Sequence, residues 1–256
     1  MKHLPLDFPW DIQWYENLPS TNDLAKEYGK QNLSQCAVIL ADSQSKGRGR
    51  MGRSFHSPAG SGIYLSVLLR PGCDARELMH LTCATAVAMC DAVERVCGVR
   101  PGAKWINDLV LENKKLGGIL TEMSLDAAGK VVWCVIGVGI NCKKTAFPAE
   151  LENIAISLES VTGTPVDRGA LIAEMILALK NLSDGLPENS AAILNRYRKD
   201  CITLGKDVMV IRGDQQLPAF AIDVDQEGGL VVAFPDGTQE TIAAGEVSVR
   251  GLCGYI

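Results

Sequence analysis

The chain has 256 residues, of which 47% are hydrophobic and 21% are charged, and its formal net charge is -5. This composition is typical of a soluble globular protein and excludes a disordered or fibrous chain. The negative charge argues against a protein whose whole surface follows nucleic acid, because such surfaces are basic across the domain. Any phosphate chemistry must therefore come from a local basic patch.

Cysteine usage and the lack of targeting patterns indicate a reducing environment. Nine cysteines are scattered along the chain with no C-x-x-C pair, so a metal site built from them is not expected. Cys83, Cys90 and Cys97 follow one stripe of a predicted helix and are interpreted as core residues. The N-terminus has no signal-peptide pattern, and no apolar run is long enough to span a membrane. These features predict a cytoplasmic protein with no membrane partner.

The first part of the chain is predicted to alternate strands and helices. A strand is predicted over 11–15, followed by a short helix that Ser20 caps and Gly29 ends. Two further strands, over 36–41 and 63–69, flank a polar segment rich in glycine. That segment is therefore a loop between two buried strands.

The middle of the chain is predicted to form one long helix and then antiparallel hairpins. Asp74 and Glu77 form a capping pair for this helix, whose apolar residues keep helical spacing up to Gly98. Tight turns at 112–113 and 128–129 then link short strands into hairpins. These strands are predicted around Lys104 and over 109–111, 116–123 and 131–139.

The last part of the chain changes from helices to short strands parted by glycine and aspartate turns. Helices are predicted over 168–182 and 190–199, and strands over 208–211, 219–224, 230–234, 239–242 and 247–250. The fold class is therefore predicted as α+β, with a mixed β-sheet and flanking helices followed by a small β-barrel. We place the two domains at residues 1–202 and 203–256.

A basic loop rich in glycine is the first candidate site. Lys46, Arg48, Arg50 and Arg53 alternate with glycines in this loop. Glycine lets the backbone approach a ligand closely, and each guanidinium can bind two oxygens of a carboxylate or phosphate. A lone G-R-G-R is more often a solvated basic turn. The position between two buried strands favours the other interpretation, a loop that binds a small anion.

Two further motifs could complete such a site. Asn107 and Asp108 offer the oxygen ligands that magnesium accepts beside phosphate groups, and Lys115 adds a cation. The segment 137–141 ends an apolar strand with glycines, where side chains would block a pocket. Each motif alone could instead be a polar hairpin tip or a bulged strand end. Since no G-x-x-x-x-G-K-[ST] phosphate loop and no G-x-S-x-G elbow occurs, we expect charge stabilisation by Arg and Lys.

Together the motifs form an ordered series over roughly the first 145 residues. The series consists of Ser-Thr-Asn at 20–22, Gln44, G-R-G-R-M-G-R at 47–53, K-W-I-N-D at 104–108, K-L-G-G-I-L at 115–120 and G-V-G-I-N at 137–141. It resembles the motif series of the biotin protein ligases, the biotin-[acetyl-CoA-carboxylase] ligases. The resemblance implies a class II synthetase-like catalytic domain and an SH3-like C-terminal barrel.

The resemblance also implies a two-step reaction. Biotin and ATP would give biotinyl-5'-AMP and pyrophosphate, and a lysine of a biotin carboxyl carrier domain of a carboxylase would then displace AMP. Lys115 and Arg50 would be the catalytic residues, with Lys115 holding the biotin carboxylate against the α-phosphate, and Asp108 is the candidate magnesium ligand. Biotin binding is implied for Ser20, Thr21, Asn22, Gln44, Gly47, Arg48, Gly49, Arg50, Lys115, Gly118, Gly137 and Gly139. ATP binding is implied for Arg50, Arg53, Phe55, Lys104, Asn107, Asp108, Lys115, Asn141 and Arg250.

The chain departs from the family pattern at two positions. Ile106 stands where the family commonly has proline, and Phe55 where tryptophan is frequent, so we expect the local backbone and the adenine stack to differ in detail. Only 19 residues precede Ser20, which is too short for the winged helix-turn-helix of repressor-type members. A ligase that does not bind DNA is therefore expected, and a homodimer is left open.

The glycine loop is also predicted to act as a lid. Glycines give it the freedom to order over the adenylate and to keep water from a hydrolysable anhydride. Two other functions are compatible with the motifs. One is a lipoate or octanoate ligase of the same superfamily, and the other is a biotin sensor without turnover.

Overall fold

The computed structural model describes residues 4–249 apart from 6, 145–146, 187 and 244–245, with side chains as far as residue 243. Its larger sheet has seven strands in the order β1-β2-β3-β7-β6-β5-β4. β1 and β2 run parallel, and the other neighbours are antiparallel. The strands are β1 (Asp11–Leu18), β2 (Ala37–Gln44), β3 (Gly62–Leu69), β4 (Gly102–Lys104), β5 (Asp108–Leu111), β6 (Lys114–Leu125) and β7 (Val131–Asn141).

Helices cover both faces of this sheet. The helices are α1 (Thr21–Gln31), α2 (Leu81–Cys97), α3 (Leu158–Thr162), α4 (Arg168–Asp184) and α5 (Ser190–Asp200). α1 packs on one face, where Ala25 joins Ile39 and Val135 in a small apolar cluster. α2 and α4 pack together over the other face and bury the main core with α5. No helix in the described part of the chain combines the length and the apolar character needed to cross a membrane.

The C-terminal part forms a second sheet of five strands in the order β11-β10-β9-β8-β12, with antiparallel neighbours. Its strands are β8 (Asp207–Arg212), β9 (Gln215–Val224), β10 (Leu230–Ala233), β11 (Gln239–Ile242) and β12 (Glu246–Val249). The two sheets bury side chains in one continuous core, in which Val208 and Leu230 join Leu81. The predicted α+β architecture, a mixed sheet with helices followed by a small β structure, is confirmed. The division between residues 202 and 203 stays a prediction.

Two helix ends differ from the prediction. Gly29 does not end α1, which continues to Gln31 and is closed by Asn32 with a left-handed φ of 56°. Gly29 is needed instead for close packing, because a Cβ there would lie 2.9 Å from the indole of Trp133. The capping pair Asp74 and Glu77 is present, but it caps a short 3-10 turn over Ala75–Leu78 rather than α2.

The cysteine interpretation is confirmed for two of the three helix positions. Cys83 and Cys90 are buried in the main core, whereas Cys97, in the last turn of α2, is partly exposed. Burial raises the pKa of the Cys83 and Cys90 thiols to about 12. Both side chains therefore act as small apolar core residues.

Candidate functional site

The predicted motifs converge on one cavity of about 260 Å³ at the larger sheet. The predicted residues that line it are Ser20, Thr21, Asn22, Gln44, Arg48, Gly49, Arg50, Arg53, Phe55, Lys104, Asn107, Asp108, Lys115, Gly118, Gly137, Gly139 and Asn141. Gly47 lies just behind this lining, where a Cβ would come within 2.3 Å of the Phe55 carbonyl oxygen. Arg250 lies outside the described residues. Arg50 and Lys115 thus face a common cavity.

One end of the cavity is a buried hydrogen-bond network at the start of α1. Ser20 caps this helix, because its side-chain oxygen accepts a hydrogen bond from the Asp23 N–H. The Gln44 Oε1 atom accepts from both the N–H and the hydroxyl of Thr21, at 2.9 and 3.1 Å. Gln44 Nε2 in turn donates to Ser57 Oγ at 3.0 Å. These polar groups are therefore fixed before any ligand arrives.

The orientation of the Asn22 amide is set by its neighbours. Asn22 Nδ2 donates to the Leu120 carbonyl at 3.2 Å and to Glu122 Oε2 at 3.0 Å. Its Oδ1 accepts from Ser66 Oγ at 2.6 Å. A flipped amide would turn Oδ1 toward two acceptors, which is unfavourable. Since both amide hydrogens are used, Asn22 can offer the cavity only an acceptor lone pair.

Glycines of β6 and β7 form the floor of the cavity. A Cβ on Gly137 would lie 1.9 Å from Asn22 Oδ1, and one on Gly139 would lie 2.5 Å from the ring of Phe55. Gly118 pairs directly with Gly139 across the strands. The Phe55 ring lies over this pair and makes an edge contact with Tyr64, with ring centroids 6.4 Å apart. Glycine at these positions thus leaves room for polar side chains and an aromatic ring beside the sheet.

Arg48 is anchored by carboxylates at the rim of the cavity. Its Nη1 donates to Asp23 Oδ1 at 2.7 Å and to Glu122 Oε2 at 3.3 Å. Lys26 Nζ lies 3.0 Å from Asp23 Oδ1 and 2.9 Å from Glu122 Oε1. Burial pushes the pKa of Glu122 upward, but hydrogen bonds from Asn22 and Lys26 and the charges of Lys26 and Arg48 outweigh it and lower the pKa. The base of the glycine loop is therefore held by a charge-balanced cluster.

Other charged side chains line the same cavity. Lys115 Nζ lies 2.6 Å from Asp108 Oδ1, and Asn107 Nδ2 donates to the Ile119 carbonyl at 3.3 Å. Lys104 is buried and Asn141 Nδ2 donates to the Ile156 carbonyl. The described lining holds one carboxylate, Asp108, and five cationic side chains, which are Arg48, Arg50, Arg53, Lys104 and Lys115; of these, Arg48 also pairs with Asp23 and Glu122 outside the lining. Such a cavity suits a ligand with several negative charges.

The lining does not build a metal centre from protein groups alone. The described residues contain no group of three or more His, Cys, Asp or Glu side chains that could hold a metal ion. Asp108 is the carboxylate that could contribute one ligand. Magnesium commonly takes one or two protein carboxylates together with substrate phosphates and water, so the residues fit an ion that is bound with a nucleotide.

Known proteins are similar to this chain over most of its length. Residues 14–141 match the model of the biotin/lipoate A/B protein ligase family, and residues 203–250 match that of the biotin protein ligase C-terminal domain. A biotin-[acetyl-CoA-carboxylase] ligase of Paracoccus denitrificans is 31% identical over 225 residues, covering 86% of this chain and 92% of the relative. The chain belongs to the biotin protein ligase family.

Other members of the family are similar over most of this chain. The bifunctional ligase/repressor BirA of Bacillus subtilis is 31% identical over 234 residues, covering 90% of this chain and 72% of the relative. The biotin protein ligase of Aquifex aeolicus, solved in complex with biotin and ATP, superimposes with a TM-score of 0.79 at 27% identity. That comparison covers 95% of this chain and 99% of the Aquifex chain.

Of the two departures from the family pattern, Phe55 lines the cavity, and Ile106 directly follows the lining residue Trp105. The peptide bond between Trp105 and Ile106, where the family commonly has proline, is cis. Phe55, which replaces the frequent tryptophan, retains an aromatic ring over the glycine floor. Trp105 itself lines the cavity, and its Nε1 donates to the Gly228 carbonyl in the C-terminal part at 2.9 Å. The K-W-I-N-D hairpin therefore connects the cavity to the second sheet.

An apolar wall of the cavity escaped prediction. It follows β7 and consists of Phe147, Leu151, Ile154 and Ala155. The segment is fixed on β6, because Lys115 N–H donates to the Ile154 carbonyl at 2.7 Å. Apolar residues at i, i+4 and i+7 in this segment could have indicated this wall, because that spacing is typical of a segment with one apolar face. The remaining lining residues that were not assigned to the site are Met51, Ser54, His56, Trp105, Ile119, Leu120 and Val138.

Proposed function

We propose that this protein activates biotin with ATP to biotinyl-5'-AMP and then transfers biotin to a lysine of a carboxylase carrier domain. In the first step the biotin carboxylate oxygen attacks the α-phosphorus, and the bond to the β-phosphate breaks to release pyrophosphate. In the second step the lysine amine attacks the activated carbonyl, AMP leaves and the amine loses a proton. The names of the relatives support the activity, since they include biotin-[acetyl-CoA-carboxylase] ligases.

The observation that carries the proposal is that a network of neutral polar side chains and several cationic side chains line the same cavity. The network around Thr21, Asn22 and Gln44 offers fixed polar groups for the neutral ureido ring of biotin. Lys115 and Arg50, which both line the cavity, would hold the carboxylate and the α-phosphate together. Two anions repel each other, and cations fixed in advance lower the barrier as charge grows on the phosphate oxygens.

The remaining predicted residues would complete the nucleotide site. Arg53, Phe55, Lys104 and Asn141 would contact ATP, and the apolar wall beside Lys115 gives the adenosine a dry surface. Asn107 and Asp108 would face the phosphates. A magnesium ion carried by ATP would be held through Asp108 and would neutralise phosphate charge.

The test compares two neighbouring lysines of β6. Lys115→Ala removes the cation next to Asp108, whereas Lys114→Ala removes one whose Nζ lies near the Glu152 carbonyl outside the cavity. We expect Lys115→Ala to slow biotin-dependent pyrophosphate release by about 100-fold or more, as loss of one stabilising group does. Lys114→Ala should stay within about twofold of the unmodified protein, because its side chain is not part of the cavity lining.

The same assay separates the competing functions. Pyrophosphate release with biotin but not with lipoate, followed by a mass increase on the carrier-domain lysine, is the expected result. Release with lipoate or octanoate alone would identify the other branch of the family. Biotin binding without any pyrophosphate release would identify a sensor and would overturn the proposal.

A further inference from the structure

Glu122 on β6 is placed to organise the cavity without lining it. Its carboxylate reaches three side chains from two other segments of the chain. Oε2 accepts from Asn22 Nδ2 at 3.0 Å, and Oε1 lies 2.9 Å from Lys26 Nζ and 3.2 Å from Arg48 Nη1. Glu122 thus joins the first turn of α1, which carries Asn22, to the base of the glycine loop.

The contact with Asn22 has a direct chemical consequence. One amide hydrogen of Asn22 goes to the Leu120 carbonyl and the other goes to the charged Glu122 oxygen. A charge-assisted bond of this kind is stronger than a neutral one and strongly disfavours the flipped amide. Asn22 Oδ1, already beside Ser66 Oγ at 2.6 Å, is left with one lone pair for a donor in the cavity.

We propose that Glu122 is a positioning residue that holds Asn22 as a hydrogen-bond acceptor for an N–H group of the ligand. The inference rests on the proposed function, in which that group is a ureido N–H of biotin. Without the carboxylate, the amide of Asn22 can rotate and present its own N–H groups. A donor would then meet a donor, and the ureido ring would lose its partner.

Asp23 supplies a matched control. Its carboxylate pairs with the same two cations as Glu122, at 2.7 Å from Arg48 Nη1 and 3.0 Å from Lys26 Nζ. No described hydrogen bond joins the Asp23 side chain to Asn22, in contrast to Glu122. Asp23→Asn and Glu122→Gln therefore each remove one negative charge from the same cluster. They differ in whether the partner of Asn22 is altered.

The experiment measures biotin binding by calorimetry for both variants and for the unmodified protein. We expect Glu122→Gln to weaken biotin binding by about tenfold or more, the loss typical of a hydrogen bond to a charged group. Asp23→Asn should weaken it by less than about threefold, because it leaves the Asn22 contact in place. Equal effects of the two variants, or no effect of Glu122→Gln, would overturn the inference.

Three additions guard against a merely structural role. Glu122→Asp keeps the charge among the cations but withdraws it from Asn22, so it should fold and still bind biotin weakly. The side-chain amide signals of Asn22 in nitrogen-15 NMR should move in Glu122→Gln and stay in place in Asp23→Asn. The losses from Glu122→Gln and Asn22→Ala should not add in the double variant, since they break one interaction.

The outcomes distinguish this inference from the proposed function. If the unmodified protein binds biotin but releases no pyrophosphate, the proposed function fails and the comparison of Glu122→Gln with Asp23→Asn still decides the inference. If it turns over biotin and Glu122→Gln binds biotin normally, the inference alone fails. If it binds no biotin, both fail.

Discussion

Gly137 and Gly118 lie on neighbouring strands of the cavity floor but leave different amounts of room for a side chain. A Cβ on Gly137 would come within 1.9 Å of Asn22 Oδ1, and three hydrogen bonds, two from Nδ2 and one to Oδ1, hold this side chain in place. A Cβ on Gly118 would meet the flexible end of Lys115 at an ordinary 3.5 Å.

This difference gives a prediction for two alanine variants. Gly137→Ala must displace Asn22, so we expect it to cost about 1–3 kcal/mol of unfolding free energy, as overpacking does, and to weaken biotin binding strongly. Gly118→Ala should change the unfolding free energy by less than about 0.5 kcal/mol. Urea unfolding and calorimetry on both variants measure these quantities. A Gly137→Ala protein that is as stable as Gly118→Ala and binds biotin as tightly as the unmodified protein would contradict the packing described for Asn22.

At the scale of single residues, residue types and their local spacing were sufficient to predict a site for an anion. An anion site is indicated, without any knowledge of the fold, by arginines between glycines and by Lys115 before a glycine pair. The partners of Arg48 could not be predicted, because Asp23 and Glu122 are 25 and 74 residues away in the chain. Only the folded arrangement of α1, which carries Asp23, and β6, which carries Glu122, brings these carboxylates to the loop.

The glycine loop is the element most suited to movement. It is closed at its base by bonds from Phe55 N–H to the Gly47 carbonyl at 2.9 Å and from Gly49 N–H to the Arg53 carbonyl at 2.7 Å. Its tip turns through left-handed backbone at Met51 and Gly52, and the Met51 side chain is 69% exposed. Only the tip is therefore placed to close over a ligand.

Hydrogen exchange followed by mass spectrometry tests this lid prediction. Backbone amides in 49–53 should exchange more slowly once biotin and ATP are added, because the arginines of the tip would bind the adenylate and order the loop. Amides in α4, on the far face of the larger sheet, serve as the internal control and should keep their rates. Unchanged protection of the loop would remove the argument for a lid.

Elements with strong periodicity or clear punctuation were predictable, and those formed through distant contacts were not. The alternation in β3 predicted that strand to within one residue, and the helical spacing predicted the C-terminal end of α2, whereas the start of α2 was predicted too early, at the 3-10 turn over Ala75–Leu78. The predicted end of α1 at Gly29 was wrong, because a glycine after a helical pattern usually indicates a helix C-terminus. The actual role of Gly29 is to let α1 approach Trp133 on β7, a contact that exists only in the folded chain.

At the scale of the whole molecule, His80 links stability to pH. It is buried just before α2, beside Gly228 of the C-terminal part, and its Nε2 has no hydrogen-bond partner within the described residues. Burial lowers the pKa of His80 below its usual value of 6.5. The folded protein therefore keeps this ring neutral, while the unfolded chain takes up a proton as the pH falls.

The sign of the effect follows from this proton uptake. The stabilisation that comes from keeping His80 neutral is fully present above pH 6.5. As the pH falls from 6.5 through the lowered pKa, the unfolding free energy decreases by at most about 1.4 kcal/mol per pH unit. The pKa values of Asp23, Asp91 and Glu122 are lowered from their usual values of 3.8, 3.8 and 4.5, so these carboxyls titrate below the interval between pH 7 and pH 5. Urea unfolding at pH 7 and pH 5 should show a smaller loss of stability for His80→Gln than for the unmodified protein. His56→Gln, an exposed position, should retain the full loss.

The core shared by the two sheets limits how this molecule can be dissected. Val208 and Leu230 belong to the same buried core as Leu81, and the Trp105 indole N–H donates a hydrogen bond to the Gly228 carbonyl across the junction. A cut near residue 203 would expose apolar surface to solvent on both fragments, so we expect neither fragment to be stable and soluble by itself. Because each fragment needs the other to bury its part of the core, a chain divided at this point is suited to a complementation reporter. In such a reporter, the active enzyme forms only where both fragments are produced in the same cell.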